Sequence, residues 1–288
     1  MLRLLIDILV DSAYEALSLF PYLYLTYLLM EYLEQTLSRR NMIYIRKAKQ
    51  YGPIIGSFLG VIPQCGFSVS AANLYATGLI SLGTMLAVFL STSDEMIPVL
   101  LSSGIGGILI IKILVVKVFF AVIIGLLVDK FLPESFIKRK NEPDISAFCA
   151  QEKCKCDGKK ENIYKSAFKH TEKIIIFIFI LALIVKMAFA FGGYDNIKSA
   201  LTGMPIIGGI IAGLVGLIPS CYPSVLLSQL FADGAISLPI MMTGLLSNSG
   251  LGLVVLYRVN RNTEETGRII ALIYIVSIIL GCISAIIF

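Results

Sequence analysis

Gly60-Val61-Ile62-Pro63-Gln64-Cys65 returns 156 residues later as Gly216-Leu217-Ile218-Pro219-Ser220-Cys221. The correspondence continues without a gap: Ser68 pairs with Ser224, Leu74 with Leu230, Gly78 with Gly234, and Ile80-Ser81-Leu82 with Ile236-Ser237-Leu238. It closes at Ser91-Thr92-Ser93 against Ser247-Asn248-Ser249, with about 16 identities in 34 positions. Self-similarity at one fixed offset marks a repeated structural unit, so the chain reads as two homologous halves.

The composition says where those halves live. Of 288 residues, 57% are hydrophobic and 15% charged, and the mean hydropathy is +0.86. A soluble domain carries about 25% charged residues, so this chain cannot cover its surface with polar groups in water and reads as a membrane protein. A spanning helix uses roughly 20 residues, which leaves room for about ten segments and no large soluble domain. His170 is the only imidazole, which disfavours a His-ligated zinc enzyme and a Ser/His/Asp hydrolase. The start, Met1 to Leu17, interrupts its apolar run with Asp7 and Asp11 and has no small-residue cleavage site, so it does not read as a removed signal peptide.

The net charge of +5 is read as topology, not as a nucleic-acid surface, because basic residues concentrate in cytoplasmic loops. Five follow the first apolar stretch (Arg39, Arg40, Arg46, Lys47, Lys49), eleven lie between Lys130 and Lys173, and three are Arg258, Arg261 and Arg268. The first span, from about Ala13 to Tyr32, then runs out to in, and its counterpart, from Ile174 to Phe191, runs in to out. The halves are expected to be inverted, with both termini outside. The expected fold class is an all-α polytopic membrane protein of two inverted-topology repeats, each of about five hydrophobic segments with broken or re-entrant helices. Residues 1–130 form the first membrane repeat, 131–172 a cytoplasmic Lys- and Cys-containing linker, and 173–288 the second repeat. Whether each half has five spans, or three spans plus a re-entrant hairpin, is left open by parity.

Inverted repeats with helices broken near mid-membrane are the usual build of secondary transporters, whose substrate sites lie at the breaks. Proline removes a helix hydrogen bond and exposes an upstream carbonyl, which makes Pro63-Gln64-Cys65 and Pro219-Ser220-Cys221-Tyr222 the first candidates for substrate contact. Ser68, the equivalently placed Asn73 and Gln229, and Ser247-Asn248 extend that set. Cys65 and Cys221 are candidate ligands for a soft metal. Ser91, Ser93, Asp94 and Glu95 are candidates for a coupling ion, since a carboxylate inside a membrane segment is costly unless it works or is paired. Asp94 and Glu95 have no acidic counterpart in the second half. Lys112 can snorkel, whereas Lys117 lies about 18 Å into its span at 1.5 Å per residue and needs a partner, for which Asp94 or Glu95 is expected.

Cys149, Cys154 and Cys156 share the linker with Lys153, Lys155, Lys159 and Lys160, and neighbouring positive charge favours the metal-binding thiolate. Three sulfurs fall one short of a structural zinc site and suit a trigonal soft ion such as arsenite or antimonite.

Ile62-Pro63-Gln64-Cys65-Gly66-Phe67-Ser68, Ser91-Thr92-Ser93-Asp94-Glu95 and Glu161 to His170 together resemble the ten-span heavy-metal exporters of bacterial cytoplasmic membranes, a family also labelled predicted arsenic efflux permeases. The resemblance implies a permease that exports a metal or metalloid ion across the inner membrane. The alternatives from the residues alone are a carrier of an organic solute, a passive channel and, least favoured, a membrane-embedded enzyme. No nucleotide-binding loop and no cofactor are expected. The expected partners are the solute, the lipid bilayer and, as an assembly, a homodimer.

Overall fold

A computed structural model of the chain describes residues 51–62, 66–93, 95–132, 205–260 and 262–288, with scattered positions between 8 and 28 and between 168 and 201. Among the described residues the structure is helical, with no strand. In the first half α1 is Gly52–Gly60, α2 Gly66–Ala76, α3 Leu82–Ser91, α4 Met96–Ser102 and α5 Gly107–Phe131. In the second half α6 is Pro205–Gly216, α7 Tyr222–Ala232, α8 Leu238–Ser247, α9 Gly252–Val259 and α10 Thr263–Ile287. Shifted by 156 residues, the bounds of α2, α3 and α5 coincide with those of α7, α8 and α10. The repeat is therefore a repeat of helices and their breaks as well as of residues.

Local chemistry places the helix ends. Pro53, Pro223 and Pro239 sit in the first turns of α1, α7 and α8, where a missing N–H costs nothing and the fixed φ suits a helix. Ser81 caps α3 by accepting from the Thr84 N–H at 3.1 Å, and Asn262 caps α10 above Glu264 and Glu265, whose charges suit a helix start. Gly78 and Gly234 turn the chain between α2 and α3 and between α7 and α8 with φ of 77° and 71°, a left-handed conformation that glycine adopts without strain. The continuous apolar stretches Gly52–Tyr75 and Met204–Phe231 each divide into two helices, because Pro63 and Pro219 fall between them.

α1 lies along α3 through a glycine face. A Cβ on Gly52 would meet Thr84, on Gly56 Thr84 and Val88, and on Gly60 Ser91 and the Val88 carbonyl at 2.6 Å. Contacts advance along both helices together, so α1 and α3 run parallel. The second half repeats this with Gly208 at Ile240, Gly213 at Thr243, and Gly216 at Gly244 and Ser247. Small residues permit this close approach, which is how helices associate in lipid.

Within each half the third helix is central, packed on α1 and α5 in one and on α6 and α10 in the other. The halves meet where α3 touches α8 and through a reciprocal exchange, in which α2 packs on α9 of the other half and α7 packs on α4. Accordingly, each of the two apolar clusters draws on both halves: Val69, Met85 and Phe89 with Leu251, Val255 and Leu256, and Leu90, Met96 and Ile113 with Leu227, Met241 and Leu245.

Among the described residues, four segments are long and apolar enough to cross a membrane: Leu82–Ser102, Gly107–Phe131, Leu238–Val259 and Thr263–Ile287. Burial sorts them, because 71% and 89% of the apolar windows in the two broken segments lie inside the protein, against 28% and 33% for the two continuous helices. Exposed Ile108, Ile111, Val115 and Phe119 on α5, with Ile275, Ile279 and Ile283 on α10, form apolar strips that suit lipid and not water. The continuous helices are the lipid-facing rim around a core of broken ones.

Candidate functional site

The two breaks singled out in the sequence are breaks in the structure. α3 stops at Ser91, and its cap residue Thr92 leaves helical geometry at φ −54°, ψ 129°. α8 stops at Ser247, and Asn248, at the equivalent position, does the same at φ −79°, ψ 103°. The last intrahelical bonds match, Thr92 N–H to Val88 O and Asn248 N–H to Gly244 O, both at 3.0 Å. Beyond them the final carbonyls of each helix have no intrahelical amide to accept from, and they carry the negative end of the helix dipole. Two such ends are thus built into the middle of the protein, one from each half.

Lys117 reaches both. It belongs to the inward stripe of α5 with Ile110, Ile113, Phe120, Ala121, Gly125 and Val128 and is fully buried. Its Nζ donates to the Thr92 carbonyl and, at 3.4 Å, to the Leu245 carbonyl in the last turn of α8. Two of this lysine's partners are therefore main-chain oxygens. Asp94, the other expected partner, lies outside the described residues. Glu95 is exposed at the position preceding α4 and makes no capping hydrogen bond to that helix. Lys112, five residues earlier on α5, is exposed, as its snorkelling position requires.

Four of the hydroxyls at the breaks are turned onto neighbouring carbonyls of their own segments. Ser91 Oγ donates to Ala87 O and Val88 O at 2.8 and 3.0 Å, Thr92 Oγ1 to Val88 O at 2.7 Å, and Ser247 Oγ to Gly244 O at 3.0 Å. Ser93 Oγ donates to Ser91 O at 3.1 Å, and Asn248 Oδ1 accepts from the Gly250 N–H at 2.9 Å. These bonds shape the breaks, and they would have to yield for the same oxygens to bind an ion.

At the second Pro-x-Cys segment, Ser220 and Cys221 are buried, with Pro219 and Tyr222 half-buried at the entrance to α7. Ser220 Oγ accepts from the Tyr222 N–H at 3.0 Å, and the Cys221 carbonyl accepts from Ser224 Oγ at 2.7 Å. Cys221 belongs to the cluster that contains Val69, Phe89 and Leu251, which draws on both halves. Pro63, Gln64 and Cys65 lie outside the described residues, as do Cys149, Cys154 and Cys156. Among the described residues, no group of three or more His, Cys, Asp or Glu side chains is placed to hold a metal.

Asn73 and Gln229, matched in sequence, differ in place. Gln229 is exposed on α7. Asn73 is fully buried in α2, and neither its amide nitrogen nor its oxygen has a hydrogen-bond partner, so it does not tie helices together by hydrogen bonding. Ser68 is buried on the same helix. Two further buried hydroxyls have no hydrogen-bond partner, those of Ser249 in the second break and of Ser228 on α7. Sequence reasoning missed Ser228, a polar residue inside an apolar repeat helix whose counterpart in the first half is Ala72.

Two polar contacts outside the breaks were also missed. Asp129, near the end of α5, accepts from Ser81 Oγ at 2.6 Å and from the Gly83 N–H at 2.8 Å, capping α3 from a neighbouring helix. Tyr75 on α2 donates to Glu265 on α10 at 2.5 Å, joining the two halves.

A core of paired broken helices inside a rim of continuous apolar ones defines a polytopic membrane protein with a polar centre. Comparison with known families makes the class specific: residues 3–195 match the family described as "Putative, 10TM heavy-metal exporter". The chain belongs to that ten-span heavy-metal exporter family. No curated protein and no solved structure matches it significantly.

Proposed function

We propose that the protein is a secondary transporter that exports a soft metal or metalloid species, bound between two inverted halves that move against each other. The observation that carries this reading is the convergence of two equivalent helix breaks on one buried ammonium at the contact between the halves, in a chain whose family is described as exporting heavy metals. Broken helices at a repeat interface are where carriers bind substrate and coupling ions. Cys65 and Cys221, with Pro63, Gln64, Ser68, Asn73, Pro219, Ser220, Tyr222, Gln229, Ser247 and Asn248, are the substrate-contacting candidates, since thiolates select soft ions. Ser91, Ser93, Asp94, Glu95 and Lys117 are the coupling-ion candidates.

We read α1–α2 and α6–α7 as re-entrant hairpins. The parallel run of α1 and α3 supports this, because α2 must carry the chain back to the level at which α1 began. At 1.5 Å per residue, α1 and α2 are roughly 13 and 16 Å long, about half of a ~30 Å hydrocarbon core. Each half then has three spans and one hairpin bent at Ile-Pro-x-Cys. The distribution of basic residues orients these elements in a bacterial inner membrane with residues 131–172 and Arg258 to Arg268 in the cytoplasm and both termini outside.

Purified protein in proteoliposomes tests the function. Movement of arsenite, antimonite, zinc or manganese, driven by a proton or cation gradient, is the expected result. Flux of an amino acid or organic anion with none of these ions would overturn the metal reading. That second reading has one observation in its favour: the buried polar side chains without partners, Asn73, Ser228 and Ser249, are hydrogen-bonding groups and not thiols. Flux indifferent to any gradient would identify a passive channel. Cys65→Ser and Cys221→Ser are expected to lower metal flux more than tenfold, and unchanged flux in both would remove the thiols from the mechanism.

A further inference from the structure

We propose that the Lys117 ammonium is a built-in cation, standing where the broken ends of α3 and α8 would otherwise coordinate a potassium-like ion. The chemistry follows from the backbone. Each helix ends in carbonyls without intrahelical amide partners, and each end brings one carbonyl to the same ammonium. Main-chain carbonyl oxygens are hard ligands, the kind that replaces the water around alkali ions, and soft metals prefer sulfur. An alkylammonium headgroup is close to potassium in size and offers three N–H donors. Two of its acceptors are Thr92 O from the first half and Leu245 O from the second, so it neutralises both helix ends at once and joins the halves at their meeting point.

The symmetry of the repeat isolates this as a property of one position. The residue on α10 equivalent to Lys117 is Ile273, also fully buried. The scaffold therefore repeats the inward stripe but, at this pair of equivalent positions, installs a cation in the first half alone, at the level of the broken ends. A carrier built this way requires no sodium or potassium between the Thr92 and Leu245 carbonyls. The inference deepens the coupling-ion part of the transport reading, and its test needs no transport.

Removing the side chain should reopen the place. The full-length protein, purified in detergent, is melted in potassium, sodium, ammonium and choline chloride at equal ionic strength. Wild type is expected to melt at one temperature in all four. Lys117→Ala is expected to melt lower in choline and to rise by roughly 3 °C or more in potassium or ammonium, with saturation, as a bound ligand requires. Lys117→Met fills the space without charge and should melt low in every salt. Lys117→Ser provides the same opening if the alanine variant cannot be purified. Equal melting of the alanine and serine variants in all four salts, or an equal rise in wild type, would overturn the proposal. Absence of wild-type flux in proteoliposomes would count against the transport reading alone.

Discussion

Asn73 offers four hydrogen-bonding sites inside α2 and uses none. An unsatisfied buried amide costs about 1–3 kcal/mol, so Asn73→Leu should raise the melting temperature in detergent. If the amide is kept for substrate, the same variant loses most of its flux, and a stabilised variant with normal flux would assign Asn73 to no function. Gly60 and Gly216 make the opposite case. A methyl at Gly60 would press on the Val88 carbonyl and Ser91, and one at Gly216 on Gly244 and Ser247. Overpacking of this kind costs about 1–3 kcal/mol, so Gly60→Ala and Gly216→Ala should destabilise by similar amounts in a melting assay. A large effect in only one would show that the two glycine faces are not mechanically equivalent.

At the scale of elements, the cap on α3 is supplied by α5. Asp129→Ala would delete both acceptors for Ser81 Oγ and the Gly83 N–H, and about 2 kcal/mol should be lost. Lys130→Ala, one residue on and exposed, serves as the control and should change melting little. The helix breaks themselves were legible in the sequence because they are made of residues that break helices, namely Pro63, Pro219 and the Ser/Asn runs, at one repeated spacing. The parallel packing of α1 on α3 was not legible, since a face of glycines has no direction until its partner is known. The acceptors of Lys117 were hidden for a related reason. A lysine in an apolar span shows that a partner is needed, but carbonyl oxygens are present at every residue, and only the unwinding of α3 and α8 makes two of them available.

At the scale of the molecule, the hydrophobic composition anticipated membrane residence, and the repeat anticipated the matched helices. The inversion of the halves has its own test. Cysteine placed at Gly104, between α4 and α5, should react with a membrane-impermeant maleimide on intact cells, and cysteine at Asn260, between α9 and α10, only after permeabilisation. Labelling of both from the same side would make the halves parallel and remove the inverted arrangement. The background is a chain in which all six native cysteines, Cys65, Cys149, Cys154, Cys156, Cys221 and Cys282, are replaced and retention of fold is checked by melting.

The reciprocal packing of α2 on α9 and α7 on α4 also governs the order in which the molecule can be assembled. α2 enters the membrane early, yet the surface it needs arrives only with residues 252–259, roughly 180 residues later. At about 5–20 residues per second of synthesis, that is on the order of 10 to 40 seconds during which Ser68 and Asn73 face lipid or a chaperone. A chain released before α9 is made would present these polar groups to quality-control proteases as an open seam. Nascent chains truncated just before Gly252 should therefore be degraded in cells much faster than the full-length protein, although eight of the ten described helices are already complete.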